Sequence, residues 1–276
     1  MKIKKGKIVF FDSGVGGLTL LKECVQRYPR EEYLYFGDNA RAPYGNLGKE
    51  KVMDYASEAF EYFNCLQVRA AVIACNTVTA VCAEKFRSRY SFPVFGVEPA
   101  VRPAMLSGGR VLVLATRATV ESEKFRKLVL KRENPNAEII VRAVPELAGE
   151  IEKNIYNLSD FKVEKFLPDI ACDSVVLGCT HYIFLKERIG AFYGCPIYDG
   201  NEGTVKNLGG RLHLQEGANN GLSTDDHKAE KSIENSINLE ENTNKCLKIF
   251  QKTTKSRIIF QGSGAEKNKK VFYSVF

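Results

Sequence analysis

Short runs of β-branched and aromatic residues alternate with amphipathic stretches along most of the chain, and this alternation constrains the fold more than any other feature. KIVFF (7–11), YLYFG (33–37), AAVIAC (70–75) and VFGV (94–97) read as strands in the first half. RVLVLA (110–115), AEIIVRAV (137–144), SVVLGC (174–179) and PIYD (196–199) read as strands in the second. Helical spacing fills the gaps near 17–27, 49–66, 77–89, from about Thr119 onward, and 146–154. In the longest of these, Val52, Tyr55, Ala56, Ala59 and Phe63 share one face. Strands that alternate with helices imply α/β architecture with mainly parallel sheets.

The two halves read as versions of one unit. In each, a strand of β-branched residues ends in cysteine followed by small polar residues: Cys75-Asn76-Thr77 and Cys179-Thr180-His181. Cys75 lies 63 residues after Asp12, and Cys179 lies 63 residues after Thr116, each at the end of its half's opening strand. A repeat of this size implies two similar doubly wound lobes related by a pseudo-two-fold axis. The 276 residues suit that division, at ~100–200 residues per domain.

Residues 215–245 differ in kind, with six asparagines and no aromatic residue. Such a segment buries too little apolar area to offset its ordering entropy and is expected to be a mobile loop or weak helix. A strand signal returns in RIIFQGSG (257–264).

The formal net charge of +7 raises nucleic acid or membrane partners, and its placement argues against both. Four lysines lie within residues 1–7, and residues 246–276 carry seven Lys/Arg against one acid, so the body between is mildly acidic. The terminal lysines read as a solvated face with no specific partner. No stretch approaches the ~18 consecutive apolar residues of a membrane span, and IVFF ends at Asp12, too short for a signal-peptide core. The chain is therefore expected in the cytoplasm. Its eight cysteines include no CxxC pair, which fits reduced thiols.

Ligands of open parallel sheets bind beyond the carboxyl ends of the strands. Those ends carry Asp12-Ser13, Asp38, Cys75-Asn76-Thr77, Thr116 and Cys179-Thr180-His181. Two lobes of like design bring Cys75 and Cys179 to face each other across an interdomain cleft. Disulfide chemistry commonly uses CxxC, and a metal site wants about four ligands. Two-base proton transfer suits opposed thiols better, one removing a proton from a carbon and the other supplying one to the opposite face. A helix starting directly after each cysteine is expected to favour the thiolate, with Asp12 and His181 adjusting proton affinity. Hydroxyl and amide side chains at Ser13, Asn76, Thr77, Thr119 and Thr180 supply donors for substrate oxygens.

Two other readings stay open at this level. GVGG (14–17), with Asp38 downstream, imitates a dinucleotide-binding turn but has Thr19 where the third glycine belongs. The thiols also suit a non-catalytic, redox-sensing protein.

FDSGVGGLT (11–19), YFGDNARAPYG (35–45), ACNTVTA (74–80), GVEPA (96–100), LATRATVES (114–122) and LGCTHY (177–182) together resemble the glutamate racemase family over roughly residues 7–205. The resemblance implies a racemase interconverting L- and D-glutamate for peptidoglycan synthesis, with no cofactor and no metal. Carried over by motif, Cys75 and Cys179 are the acid/base thiols and Asp12 and His181 assist them. Asp12, Ser13, Tyr44, Gly45, Asn76, Thr77, Thr180 and His181 contact the substrate, and Thr119 and Glu152 join them. It further implies a first lobe of residues 1–97 with 206–276 and a second of 98–205. Asn39 replaces the usual Thr or Ser beside the site, and DGNEGT (199–204) departs from the family run. Whether the chain acts alone or as a homodimer is left open, and neither nucleic acid nor membrane is an expected partner.

Overall fold

The structure, a computed structural model, describes residues 6–131, 134–217 and 258–275. Nine strands appear among them: β1 (Ile8–Asp12), β2 (Tyr33–Gly37), β3 (Ala70–Ile73), β4 (Val94–Gly96), β5 (Gly109–Ala115), β6 (Ala137–Ala143), β7 (Ser174–Gly178), β8 (Ile197–Asp199) and β9 (Ile258–Gln261). They form two wholly parallel sheets, ordered β4-β3-β1-β2-β9 and β6-β5-β7-β8. In each half the opening strand lies between the second and third, with the fourth outside the third. The repeat read from the cysteine spacing is thus a repeat of topology, and β9 extends the first sheet beyond β2.

Parallel strands covered on both faces need apolar side chains on both faces. On one face of the first sheet, Val9, Phe11, Leu34, Phe36, Ala71 and Ile73 pack with helices α2 (Lys49–Cys65) and α3 (Asn76–Arg89). Phe60 of α2 stands within 6.2 Å, centroid to centroid, of Phe11, Phe63, Phe86, Tyr90 and Phe92. On the other face, Ile8, Phe10, Tyr33, Tyr35 and Val72 join residues of α1 (Leu18–Arg27), α9 (Asn201–Leu212) and α10 (Ala265–Val275). That cluster continues into Leu112, Leu114, Val175 and Leu177 of the second sheet, so one core joins both halves. The far side of the second sheet packs Val111, Val113 and Val176 against α4 (Val101–Leu106) and α6 (Glu123–Leu130).

Three expectations need correction or a boundary. After Cys179 the chain forms not an α-helix but a 3-10 stretch, Thr180–Leu185, before α8 (Lys186–Tyr193). Tyr182 N–H closes on Cys179 O at 3.1 Å, and the buried Tyr182 hydroxyl donates to Val144 O at 2.7 Å, which holds the tight turn. Lys7 is not solvated: it is 4% exposed and its ammonium donates to Glu32 at 3.0 Å. The 215–245 segment lies, from residue 218 on, outside the described residues. Among the described residues no helix is long and apolar enough to cross a membrane.

Candidate active site

The strand ends named by the sequence meet at the boundary between the two sheets. β1 ends at Asp12, β3 runs into Cys75 and α3, and β5 runs into Thr116, which caps the short helix α5 (Arg117–Val120) by accepting Thr119 N–H. β7 runs into Cys179. Contacts cross between the halves here. Thr180 Oγ1 donates to Asp12 Oδ2 at 3.2 Å, Thr77 and Thr116 hydroxyls lie 3.0 Å apart, and Val15 N–H donates to Glu152 Oε1 at 2.7 Å. Glu152 lies on α7 (Leu147–Asn154). Cys75 and Cys179 are each 6% exposed.

Around Cys75 the surroundings favour the protonated thiol. Ser13 Oγ lies 3.7 Å from the sulfur, and Asp12 accepts from Gly14 N–H at 2.7 Å and from Ser13 at 3.4 Å. Burial pushes the Asp12 carboxyl up to about 6, although His181, Gly14 N–H and Thr180 favour the anion. Burial, with the Asp12 charge beside it, pushes the Cys75 thiol up to about 12. The Val78 N–H at the start of α3 acts in the other direction but is outweighed, so the expected thiolate preference is reversed here.

Around Cys179 the neighbour is a cation. The sulfur lies 3.8 Å from His181 Nδ1, and His181 Nε2 lies 2.8 Å from Glu152 Oε1. Burial alone would push His181 down, but the Cys179 sulfur and the Glu152 carboxylate outweigh it and hold the imidazole well above its ordinary value. Burial likewise acts to raise Glu152, yet His181 and Lys267 bring it down to about 2. The pair therefore stands as imidazolium and carboxylate at neutral pH.

The remaining expected residues fall into two groups. Ser13, Asn76, Thr77, Thr119 and Thr180 are all buried around these groups; Asn76 Nδ2 donates to Val97 O at 3.4 Å, and Thr116 Oγ1 donates to Thr119 Oγ1 at 3.0 Å. Gly45 faces Thr116, where a Cβ would lie 2.7 Å from Thr116 Cγ2. The Tyr44 ring packs in the core with Phe11 and Tyr55, and its hydroxyl donates to Asp38. Asp38 also accepts from Arg41 and Ser263. The dinucleotide reading fails on the same facts, since Gly14 N–H is committed to Asp12 and Asp38 is fully partnered.

Lys267 was not singled out from sequence, where it lay in a basic terminal segment. Its ammonium donates to Glu152 Oε2 at 2.6 Å, and no local pattern in that segment announces so distant a partner. An open groove of roughly 420 Å³ between α3 and α6, lined among others by Lys49, Glu84, Glu98 and Lys127, reaches none of the cleft side chains. Among the described residues no group of three or more His, Cys, Asp or Glu is disposed to hold a metal ion.

Residues 13–208 match the family model described as Asp/Glu/Hydantoin racemase. The chain is 38% identical over 247 residues to a glutamate racemase of Clostridium perfringens, covering 85% of this chain and 92% of that one. Among solved structures it is similar to glutamate racemase from Campylobacter jejuni, at a TM-score of 0.71, 25% identity and 98% coverage of both chains. It is also similar to Escherichia coli glutamate racemase in complex with L-glutamate and an activator, UDP-MurNAc-ala, at a TM-score of 0.68 and 27% identity, over 77% of this chain and 85% of that one.

Proposed function

The chain belongs to the Asp/Glu/Hydantoin racemase family, and from that footing we propose that it interconverts L- and D-glutamate by moving a proton at the α-carbon between two thiols. The observation that carries the mechanism is the equivalent placement of Cys75 and Cys179, each just beyond the third strand of a sheet with the same strand order. Glutamate as substrate rests on the similar proteins, which are glutamate racemases, one of them with L-glutamate bound.

In this reading the substrate lies between the sulfurs. One thiolate takes the α-proton, and the opposite thiol delivers a proton to the other face, so the configuration inverts. Asp12 accepts the Cys75 proton in one direction and returns it in the other. The His181 imidazolium stabilises a Cys179 thiolate and resupplies its proton. A reaction running both ways requires each thiol to act as base in one direction and as acid in the other, and each has a proton-transfer partner beside it. The thiols carry the proton themselves, so no cofactor takes part.

Ser13, Asn76, Thr77, Thr119, Thr180 and the backbone near Gly45 hold the substrate carboxylates and amine. Both thiols are nearly inaccessible, so entry requires the two halves to part at the boundary between their sheets. The D-glutamate formed supplies peptidoglycan synthesis in the cytoplasm.

The test is incubation of the purified protein in D₂O with L-glutamate and L-aspartate side by side, following chirality and α-deuteration. Inversion of glutamate without added pyridoxal phosphate is expected. Faster inversion of aspartate would reassign the substrate, a change of one methylene worth only about 1–3 kcal/mol. No optical change with either would refute the reading.

A further inference from the structure

We propose that Lys267 is a positioning residue for this reaction: from α10 on the first sheet it fixes Glu152 of the second half, and Glu152 in turn sets His181 against Cys179. The inference rests on the racemase reading above. Glu152 has both carboxylate oxygens engaged. Oε1 lies 2.8 Å from His181 Nε2 and accepts Val15 N–H at 2.7 Å, while Oε2 accepts from Lys267 Nζ at 2.6 Å. Lys267 Nζ also donates to Glu152 O at 3.2 Å, so one ammonium clasps the side chain and main chain of the same residue. A clasp of that kind limits rotation of the carboxylate, which is 10% exposed.

The lysine is itself held in place. α10 buries Val271 and Phe272 completely, and Asn268 Nδ2, one residue from Lys267, donates to Asn39 Oδ1 at 2.9 Å. The clasp therefore carries the position of the first sheet to a histidine of the second half. The charged and titratable groups that face His181 are Cys179, Glu152 and, from the end of β1, Asp12. No hydrogen bond or ion pair places Lys267 on His181 itself; its contact runs through Glu152.

The full chain has three histidines, so ¹⁵N-histidine NMR follows His181 directly alongside steady-state racemisation. In Lys267→Met the methylenes stay and the clasp is lost. The expected result is a kcat lower by about 10- to 100-fold, the scale of a small misplacement of a catalytic group. KM is expected to change little, His181 to titrate at lower pH than in the parent, and Lys267→Arg to regain most of the kcat.

A lysine acting only as a nearby charge gives the opposite sign, because removing a cation raises the imidazole's proton affinity. A parent-like kcat, or a His181 titration unmoved or raised, overturns the proposal. So does a loss in Lys267→Met that tracks lowered thermal stability and is not restored by arginine. If the parent fails to racemise glutamate, the proposed function falls, while the direction of the His181 shift still decides whether the clasp positions the ring.

Discussion

Thr180 of the second half donates its hydroxyl to Asp12 of the first, Oγ1 to Oδ2 at 3.2 Å. This bond joins the residue after one proposed thiol to the carboxylate beside the other, and it is among the contacts that lower the proton affinity of Asp12. Asp12 has to be ionised to accept the Cys75 proton, so kcat/KM is expected to fall as pH drops through about 6. Thr180→Val removes the donor while keeping the shape, so the fall moves to higher pH. A pH profile that keeps its acid limb in the variant contradicts this role for the bond.

The same carboxylate gives a stability prediction with a definite sign. Its folded value of about 6 lies above the ordinary 3.8, so its contribution to stability is fully present below the ordinary value and is lost as pH rises through about 6. The loss amounts to about 3 kcal/mol by pH 8, at 1.36 kcal/mol per unit. Asp12→Asn does not titrate. Its unfolding free energy relative to the parent should improve by about 2.4 kcal/mol between pH 4 and pH 8, the rest of the change falling below pH 4, while racemisation falls by at least about 100-fold. Denaturant titrations at both pH values check this, and a difference that does not vary with pH contradicts it.

Gly16 sits under the turn that follows Cys179. A Cβ there would lie 2.6 Å from both His181 Nδ1 and Thr180 Oγ1. Gly16→Ala is expected to push the ring away from Cys179 and lower kcat by roughly 10- to 100-fold in a protein that still folds. Steady-state kinetics beside a thermal melt separate the two effects. Parent-like kcat would mean the turn yields without moving the histidine.

Phe60 contacts five other aromatic rings in the core over α2 and α3, a cluster that Cys75 borders, and none of those contacts is to Cys75 itself. Phe60→Ala should cost about 3–5 kcal/mol of unfolding free energy. Racemisation per folded molecule should stay near the parent's. A large activity loss in the folded fraction would show that loosening this core displaces Cys75 at its border.

The central strands were legible because β1, β2, β3 and β7 are short apolar runs buried on both faces, and SVVLGC and AAVIAC announced the repeat by ending in the same residue type. Asp12 and Cys75 follow strands that end at the same edge of one parallel sheet, Cys179 and His181 follow a strand of the other, and the Thr180–Asp12 and Val15–Glu152 bonds bring the two edges together. What the sequence did not carry is long-range or electrostatic. Lys267 and Glu152 are 115 residues apart, and nothing local links them. Helix-end arguments favoured a Cys75 thiolate, yet burial beside Asp12 decides its proton affinity the other way. The 3-10 turn after Cys179 is set by the buried Tyr182, a tertiary demand invisible to local spacing.

The most direct test of two-thiol transfer compares parent, Cys75→Ala and Cys179→Ala in D₂O, with each enantiomer of glutamate in turn. In the parent, product formed in the earliest turnovers should carry deuterium at the α-carbon while remaining substrate does not, because the proton lost and the deuteron gained pass through different sulfurs. Each alanine variant should lose racemisation by more than about 10³-fold. Product that keeps its original protium, or a single-cysteine variant that still inverts either enantiomer at a substantial fraction of the parent rate, would contradict the two-thiol mechanism.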